Sequence, residues 1–162
     1  PFPFSLFPPP PSPPHLPVPS RPWYAPPPSF ARMRGADADP AAYLRAAPGM
    51  VDAMYAARPA LRPVHDALEE LALALGPDIR LCPGQTIVPI YRKHVIAQIK
   101  PATKTRIDFG LALGALKGKG RLQETGGYAK KDRITHRIAV SSLADLDDEL
   151  RAWLGRAYAL NG

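Results

Sequence analysis

Fourteen of the chain's 22 prolines fall within residues 1–28, in runs such as FPPPPSPP and APPPS. A proline ring fixes φ near the polyproline value and removes the backbone donor, so consecutive prolines build neither a helix nor a sheet ladder. A folded unit therefore has to come from the rest of the chain, starting between Met50 and Leu61. Residues 1–49 read as a Pro-rich disordered tail and lead-in, or a spurious upstream extension, and residues 50–162 as a single domain. The chain opens on Pro1, with Met33 and Met50 as internal candidates for a start. PFPFSLFPPPP lacks the basic leader and continuous apolar segment of a secretory signal. Phe2, Phe4, Leu6 and Phe7 are interspersed with proline there, a pattern suited to grooves that read polyproline helices.

No run approaches the roughly 18 apolar residues that a membrane span needs. Cys82 is the single cysteine, which excludes an internal disulfide and a cysteine-based zinc cluster. A cytoplasmic protein with a buried or loop thiol is the expectation.

Leu61, Val64, Leu68, Leu71 and Leu75 recur at helical spacing, with Pro63 suited to a first turn and Gly76-Pro77 as the stop. Glu69 and Glu70 fall off that stripe. A second helix starts near SSLADLDDEL, where Ser142 and Asp145 have capping-box spacing and Leu143, Leu146, Leu150, Trp153, Leu154 and Ala157 form the apolar face. Between the helices the period drops to two. TIVPIY (86–91) and HVIAQIK (94–100) read as strands joined at Arg92-Lys93, with Pro89 placing the first at an edge. TRIDFGLAL (105–113) and RITHRIAV (133–140) alternate likewise, the latter sending Ile134, His136, Ile138 and Val140 inward. The glycine- and lysine-rich stretch from Gly114 to Asp132 reads as a long loop, with GRLQET as the place for a short strand. The expected fold is α+β, a two-layer sandwich of about four mostly antiparallel strands with two helices on one face.

Residues 80–137 carry 13 Lys/Arg against 3 Asp/Glu, whereas residues 50–79 and 138–162 are net acidic. The sheet and its loops are therefore basic, a layout that suits an anionic small molecule or nucleic acid. Candidate contacts are Arg92, Lys93 and His94 at the hairpin, Arg106, Asp108 and Arg137 on the open sheet face, and Lys130 and Lys131 in the loop. Asp108 lies two positions from Arg106 and within reach of Arg137, an Arg–Asp–Arg arrangement that can grip a carboxylate or phosphate. An enzyme of unknown reaction would combine Asp108 with His94 or Arg137. GKGRLQETGG lacks the lysine and hydroxyl residue of a phosphate-binding loop, and no histidine has metal-ligand spacing. No catalytic constellation assembles, and neither metal nor cofactor is implied.

The blocks GPDIRLCPGQTIVPIYRKHVIAQIKPATKTRIDFGLAL and GRLQETGGYAKKDRITHRIAVSSLADLDDELRAWLGRAY resemble a bacterial family, domain of unknown function 5655. The resemblance covers roughly residues 60–160 with a lead-in from Met50, and the tail has no counterpart in it. It implies no catalytic residues. Related domains occur in proteins linked to nucleic-acid processing or transport. The sequence thus points to a non-catalytic binding module for an anionic ligand or partner, with a nucleic-acid-associated module as the alternative and oligomeric state open.

Overall fold

Four segments with period-two alternation pair side by side, and their shared apolar parity sends one row of side chains to a common face. We describe residues 23–28 and 39–162 in a computed structural model of the chain. The strands are β1 (Arg80–Leu81), β2 (Val88–Tyr91), β3 (Val95–Pro101), β4 (Ile107–Leu111), β5 (Gln123–Glu124) and β6 (His136–Val140). They form one antiparallel sheet in the order β1-β2-β3-β4-β6-β5. Val88, Ile90, Ile99, Ile107, Phe109, Leu111, Ile138 and Val140 are all fully buried.

Among the described residues three α-helices accompany the sheet: α1 (Pro40–Tyr55), α2 (Arg62–Leu73) and α3 (Asp148–Leu160). The α+β class holds, with two more strands and one more helix than the alternation and periodicity announce. β1 and β5 span two residues each, too short for a period to show. β1 also displaces β2 from the expected edge, since Arg80 pairs with Tyr91 and Leu81 with Ile90. The β2–β3 turn is looser than two residues: Arg92, Lys93 and His94 all lie in it, and the register shifts between Ile90 and Tyr91.

Helix α1 crosses the boundary expected at residue 49. Asp39 accepts the Ala41 amide as N-cap and Pro40 takes the first turn. Tyr43, Ala47, Val51, Met54 and Tyr55 recur at helical spacing and are buried. Pro48 interrupts the hydrogen-bond ladder, which costs about 3 kcal/mol in an isolated helix; the buried stripe offsets it. The expected cap at Ser142–Asp145 also has a different host. Asp145 accepts the Ser141 and Ser142 amides around a short 3₁₀ turn, Leu143–Asp145, while Asp147 caps α3 through the Leu150 amide. Donation by that amide holds the Asp147 carboxyl below its ordinary value, with Arg121 adding to the effect.

Residues 23–28, at the end of the proline-rich region, also enter the fold, although prolines exclude a regular ladder. Tyr24 bridges Leu81 in parallel and is buried, with its neighbours donating and accepting across the β1 edge. Its hydroxyl donates to Glu69, 2.7 Å from Oε1 and 3.1 Å from Oε2. Phe2, Phe4, Leu6 and Phe7 lie outside the described residues. So Glu69, expected off the apolar stripe of α2, is in fact buried, as is His65 one turn earlier. His65 Nε2 stands 2.6 Å from Glu69 Oε1, and His65 Nδ1 is 2.7 Å from the Tyr55 hydroxyl. Burial, reinforced by the Glu69 charge, raises the Tyr55 hydroxyl above its ordinary value. The Glu69 carboxylate can only accept, so His65 Nε2–H donates to it, and in the neutral ring Nδ1 is left to accept the Tyr55 hydroxyl. One proton-linked chain joins the Tyr24 segment, α2 and the end of α1.

Among the described residues no helix is long and apolar enough to cross a membrane. Cys82 is buried, and desolvation pushes its thiol up to about 12. Native protein should therefore resist thiol reagents at neutral pH and be labelled at the rate of opening; rapid stoichiometric labelling would contradict this burial. For the buried chain, His65→Ala should cost about 1.5–3 kcal/mol by removing a buried hydrogen bond to a charged group. Urea unfolding of His65→Ala, Glu69→Ala and the double variant should give a double cost well below the sum of the singles; additive costs would mean that the pair is not coupled.

Candidate functional site

The same register that buries Ile99, Phe109 and Ile138 aligns a second row on the opposite face. Gln98 pairs with Gly110, and Gly110 with Arg137; one step along, Lys100 pairs with Asp108. A Cβ on Gly110 would stand 2.7 Å from Ile134 Cγ2 and 2.8 Å from Gln98 Cγ. The Ile134 and Gln98 side chains thus close over this position, which has no room for another. A basin on this face has a volume of about 470 Å³ and is lined by Lys100, Lys130, Arg133 and Arg137 against Asp108 and Asp132, with Gln98, Gly110 and Thr125.

Ile134 belongs to this basin and not to the core, contrary to the alternation. Thr135 and His136 are both buried, so the chain changes phase just before β6. The Leu113 amide donates to Thr135 Oγ1, and the Thr135 amide to the Leu111 carbonyl. His136 does lie inside as expected. Its Nε2 must donate to the Leu116 carbonyl at 2.7 Å, which leaves Nδ1 to accept the Thr135 hydroxyl at 2.7 Å. Both ring nitrogens are committed to structural bonds.

The expected Arg–Asp–Arg arrangement is present on this face. Arg106 Nε donates to Asp108 Oδ1 at 3.0 Å, and Arg137 NH1 stands 3.6 Å from Oδ2. Asp108 is mostly covered while both arginines are about half exposed. Each guanidinium therefore keeps donors turned to solvent beyond the one facing the carboxylate.

The wall over the basin is the segment 126–133. The Asp132 amide returns to the Gly127 carbonyl and the Lys131 amide to the Tyr128 carbonyl, the two bonds of a Schellman turn. Lys131 occupies the left-handed position with φ of 60°. Gly127 packs so closely on the Ile134 carbonyl that a Cβ there has no space. This turn divides the two loop lysines. Lys130 lines the sheet basin, whereas Lys131 lines a larger hollow of about 760 Å³ beyond it, with Leu113, Tyr128 and Leu160. Asp132 and Arg133 border both spaces.

The hairpin residues do not join this surface. Arg92 donates from Nε to Asp78 Oδ2 at 2.7 Å and from NH1 to the Tyr158 carbonyl at 2.6 Å, and stacks 3.8 Å over the Tyr158 ring. The Tyr158 hydroxyl donates to Asp78, which holds that carboxyl below its ordinary value together with Arg92. Arg92 is thus a brace between the turn and α3. Lys93 borders another hollow beside Arg80 and Tyr91, and His94 is exposed in the turn. Six positions of β3 separate His94 from Lys100, the partner of Asp108, a distance of roughly 20 Å. The sheet therefore does not assemble a His94–Asp108 pair.

Of the eight candidates, Asp108, Lys130 and Arg137 meet at the basin and Arg106 reaches it through Asp108. Lys100, Arg133 and Gly110 complete it without having been singled out. Lys100 shares the parity of Gln98 and was open to discovery on that ground; Arg133 precedes the phase change, which hid it.

His65, Asp66 and Glu69 bring one ligand-type atom each within 4.8 Å of one another. Two donors at ~2.1 Å from one tetrahedral ion stand about 3.4 Å apart, whereas Nε2 and Oε1 are 2.6 Å apart with a proton between them. Asp66 is paired with Arg62 at 3.0 Å. This cluster fits a hydrogen-bonded pair and not a metal centre.

No curated protein and no solved structure matches the chain. The family model described as domain of unknown function (DUF5655) matches residues 51–161, and the chain belongs to that family.

Proposed function

We propose that the domain binds a small anionic ligand of the phosphate or carboxylate class in the basin on the open sheet face. The observation that carries this reading is the convergence of Lys100, Lys130, Arg133 and Arg137 around one concave space on the sheet face. Four cations from β3, the loop and β6 exceed the two carboxylates that share the site. Arg137 presents a planar fork suited to two oxygens of one anion, and Lys100 and Lys130 add point charges. Asp108 orients Arg106 and Arg137 by accepting from one face, leaving the remaining donors for a ligand. Asp108 is held between Arg106 and Arg137, an arrangement that favours recognition over acid–base chemistry.

Calorimetric titration with pyrophosphate and with nucleoside phosphates tests this directly. Saturable binding is expected, with Lys130→Ala and Arg137→Ala each weakening it by about tenfold or more, the loss of one hydrogen bond to a charged group. Lys104→Ala, exposed on the β3–β4 turn, should leave the affinity unchanged. Absence of binding, or equal losses in all three variants, would defeat the reading. A steep fall in affinity for single-stranded RNA with rising salt, without small-anion binding, would favour a nucleic-acid surface instead.

The hairpin gives an independent expectation. Arg92→Ala removes the Asp78 bond, the Tyr158 carbonyl bond and the ring contact together, so it should lower Tm by several degrees while leaving anion affinity intact. Lys93→Ala should change Tm little. A loss of affinity in Arg92→Ala without loss of Tm would return the turn to the binding site.

A further inference from the structure

We infer that the outer edge of β1 is a recognition slot for an extended, proline-rich segment bearing a tyrosine, and that residues 23–28 are its tethered occupant. The segment WYAPPP meets the edge through a single parallel bridge at Tyr24. The Leu81 amide donates to the Trp23 carbonyl at 3.2 Å, and the Ala25 amide donates to the Leu81 carbonyl at 2.9 Å. Between those bonds Tyr24 is buried, and its hydroxyl reaches both oxygens of Glu69. Main-chain bonds to a sheet edge with one side chain in a pocket are the elements of strand-addition recognition.

The composition of the occupant suits this edge. After Ala25 come Pro26, Pro27 and Pro28, which have no amide to leave unpaired and enter the bound state already extended. Pro26 and Pro28 border a hollow of about 460 Å³ whose other side includes Arg80, Cys82, Tyr91 and Lys93. The slot residues Glu69, Leu81, Cys82 and Tyr91 lie within the family match at 51–161, whereas the occupant lies outside it. The segment thus reaches the slot from outside the matched region.

The floor of the slot sets its specificity. Glu69 is a buried carboxylate that accepts from His65 and, on both oxygens, from the Tyr24 hydroxyl. Phenylalanine fills the same volume without supplying that donor. Phosphotyrosine replaces the donor with a dianion facing a carboxylate, so modification of the tyrosine would eject the segment. None of this depends on the basin, which is built from other residues on the opposite face.

The test uses the full chain carrying Tyr24→Ala, folded by circular dichroism, with synthetic peptide WYAPPP added in trans. Saturable binding should perturb the Leu81 amide resonance and raise Tm towards that of the unaltered chain. WFAPPP should bind at least tenfold more weakly, phosphorylated WYAPPP should not bind, and the unaltered chain should bind little because its slot is filled. Failure of WYAPPP to bind the folded variant, or equal binding of the three peptides, overturns the proposal. If Tyr24→Ala does not fold, hydrogen exchange on the unaltered chain decides. A separable occupant predicts that the Leu81 amide exchanges at least tenfold faster than that of Cys82, which bonds Pro89 within the sheet; equal protection overturns it.

Discussion

The architecture depends on one sheet having two chemically different faces in a fixed register. A slip of one residue between β3, β4 and β6 would exchange the rows, sending Gln98, Asp108 and Arg137 inward and Ile99, Phe109 and Ile138 outward. Desolvating two charges would oppose that slip, and so would exposing three large apolar side chains. The energy that fixes the core therefore also aligns the polar row. The sheet side of the basin inherits its alignment from packing on the other face, while the 127–132 turn holds its wall.

Much of this was legible from spacing. The period-two segments gave the four longer strands, and the helical repeats gave α2 and α3 to within a few residues. The ion pairs around Asp108 followed from two residues sharing parity on one strand and a third on a neighbour. What escaped had physical causes. Pro40 and Pro48-Gly49 look like breakers, but a proline in a first turn costs nothing and the second is outweighed by a buried stripe from Tyr43 to Tyr55. The Tyr24 contact joins positions 45 residues apart through one hydroxyl and one carboxylate, and no local pattern encodes such a pairing. Arg92 looked like a surface cation because the carbonyl and ring that hold it belong to a helix 66 residues away.

The charge pattern needed the fold before it could be divided. A net excess of cations between residues 80 and 137 reads as one surface in sequence. In three dimensions it separates into a brace at the hairpin, a polar basin on the sheet and a lysine facing another hollow. The separation arises from backbone geometry: the turn at 127–132 aims two adjacent lysines into different spaces. Family membership and the basin address different questions, since the first fixes descent and the second supplies a surface on which recognition can be measured.

The phase change at Thr135–His136 has a consequence for how such a chain can vary in length. His136 is fastened on both ring nitrogens, and Thr135 holds the Leu113 amide. Strand β6 is thereby indexed to the sheet by side-chain chemistry and not by the span of the connection that precedes it. Residues inserted or deleted within positions 117–120, ahead of the anchored Arg121, would enlarge or shrink an exposed excursion at a small entropic cost. The strand beyond would still re-enter at the same notch. Insertions and deletions can thus accumulate there while the sheet, and the polar row it carries, keeps its alignment.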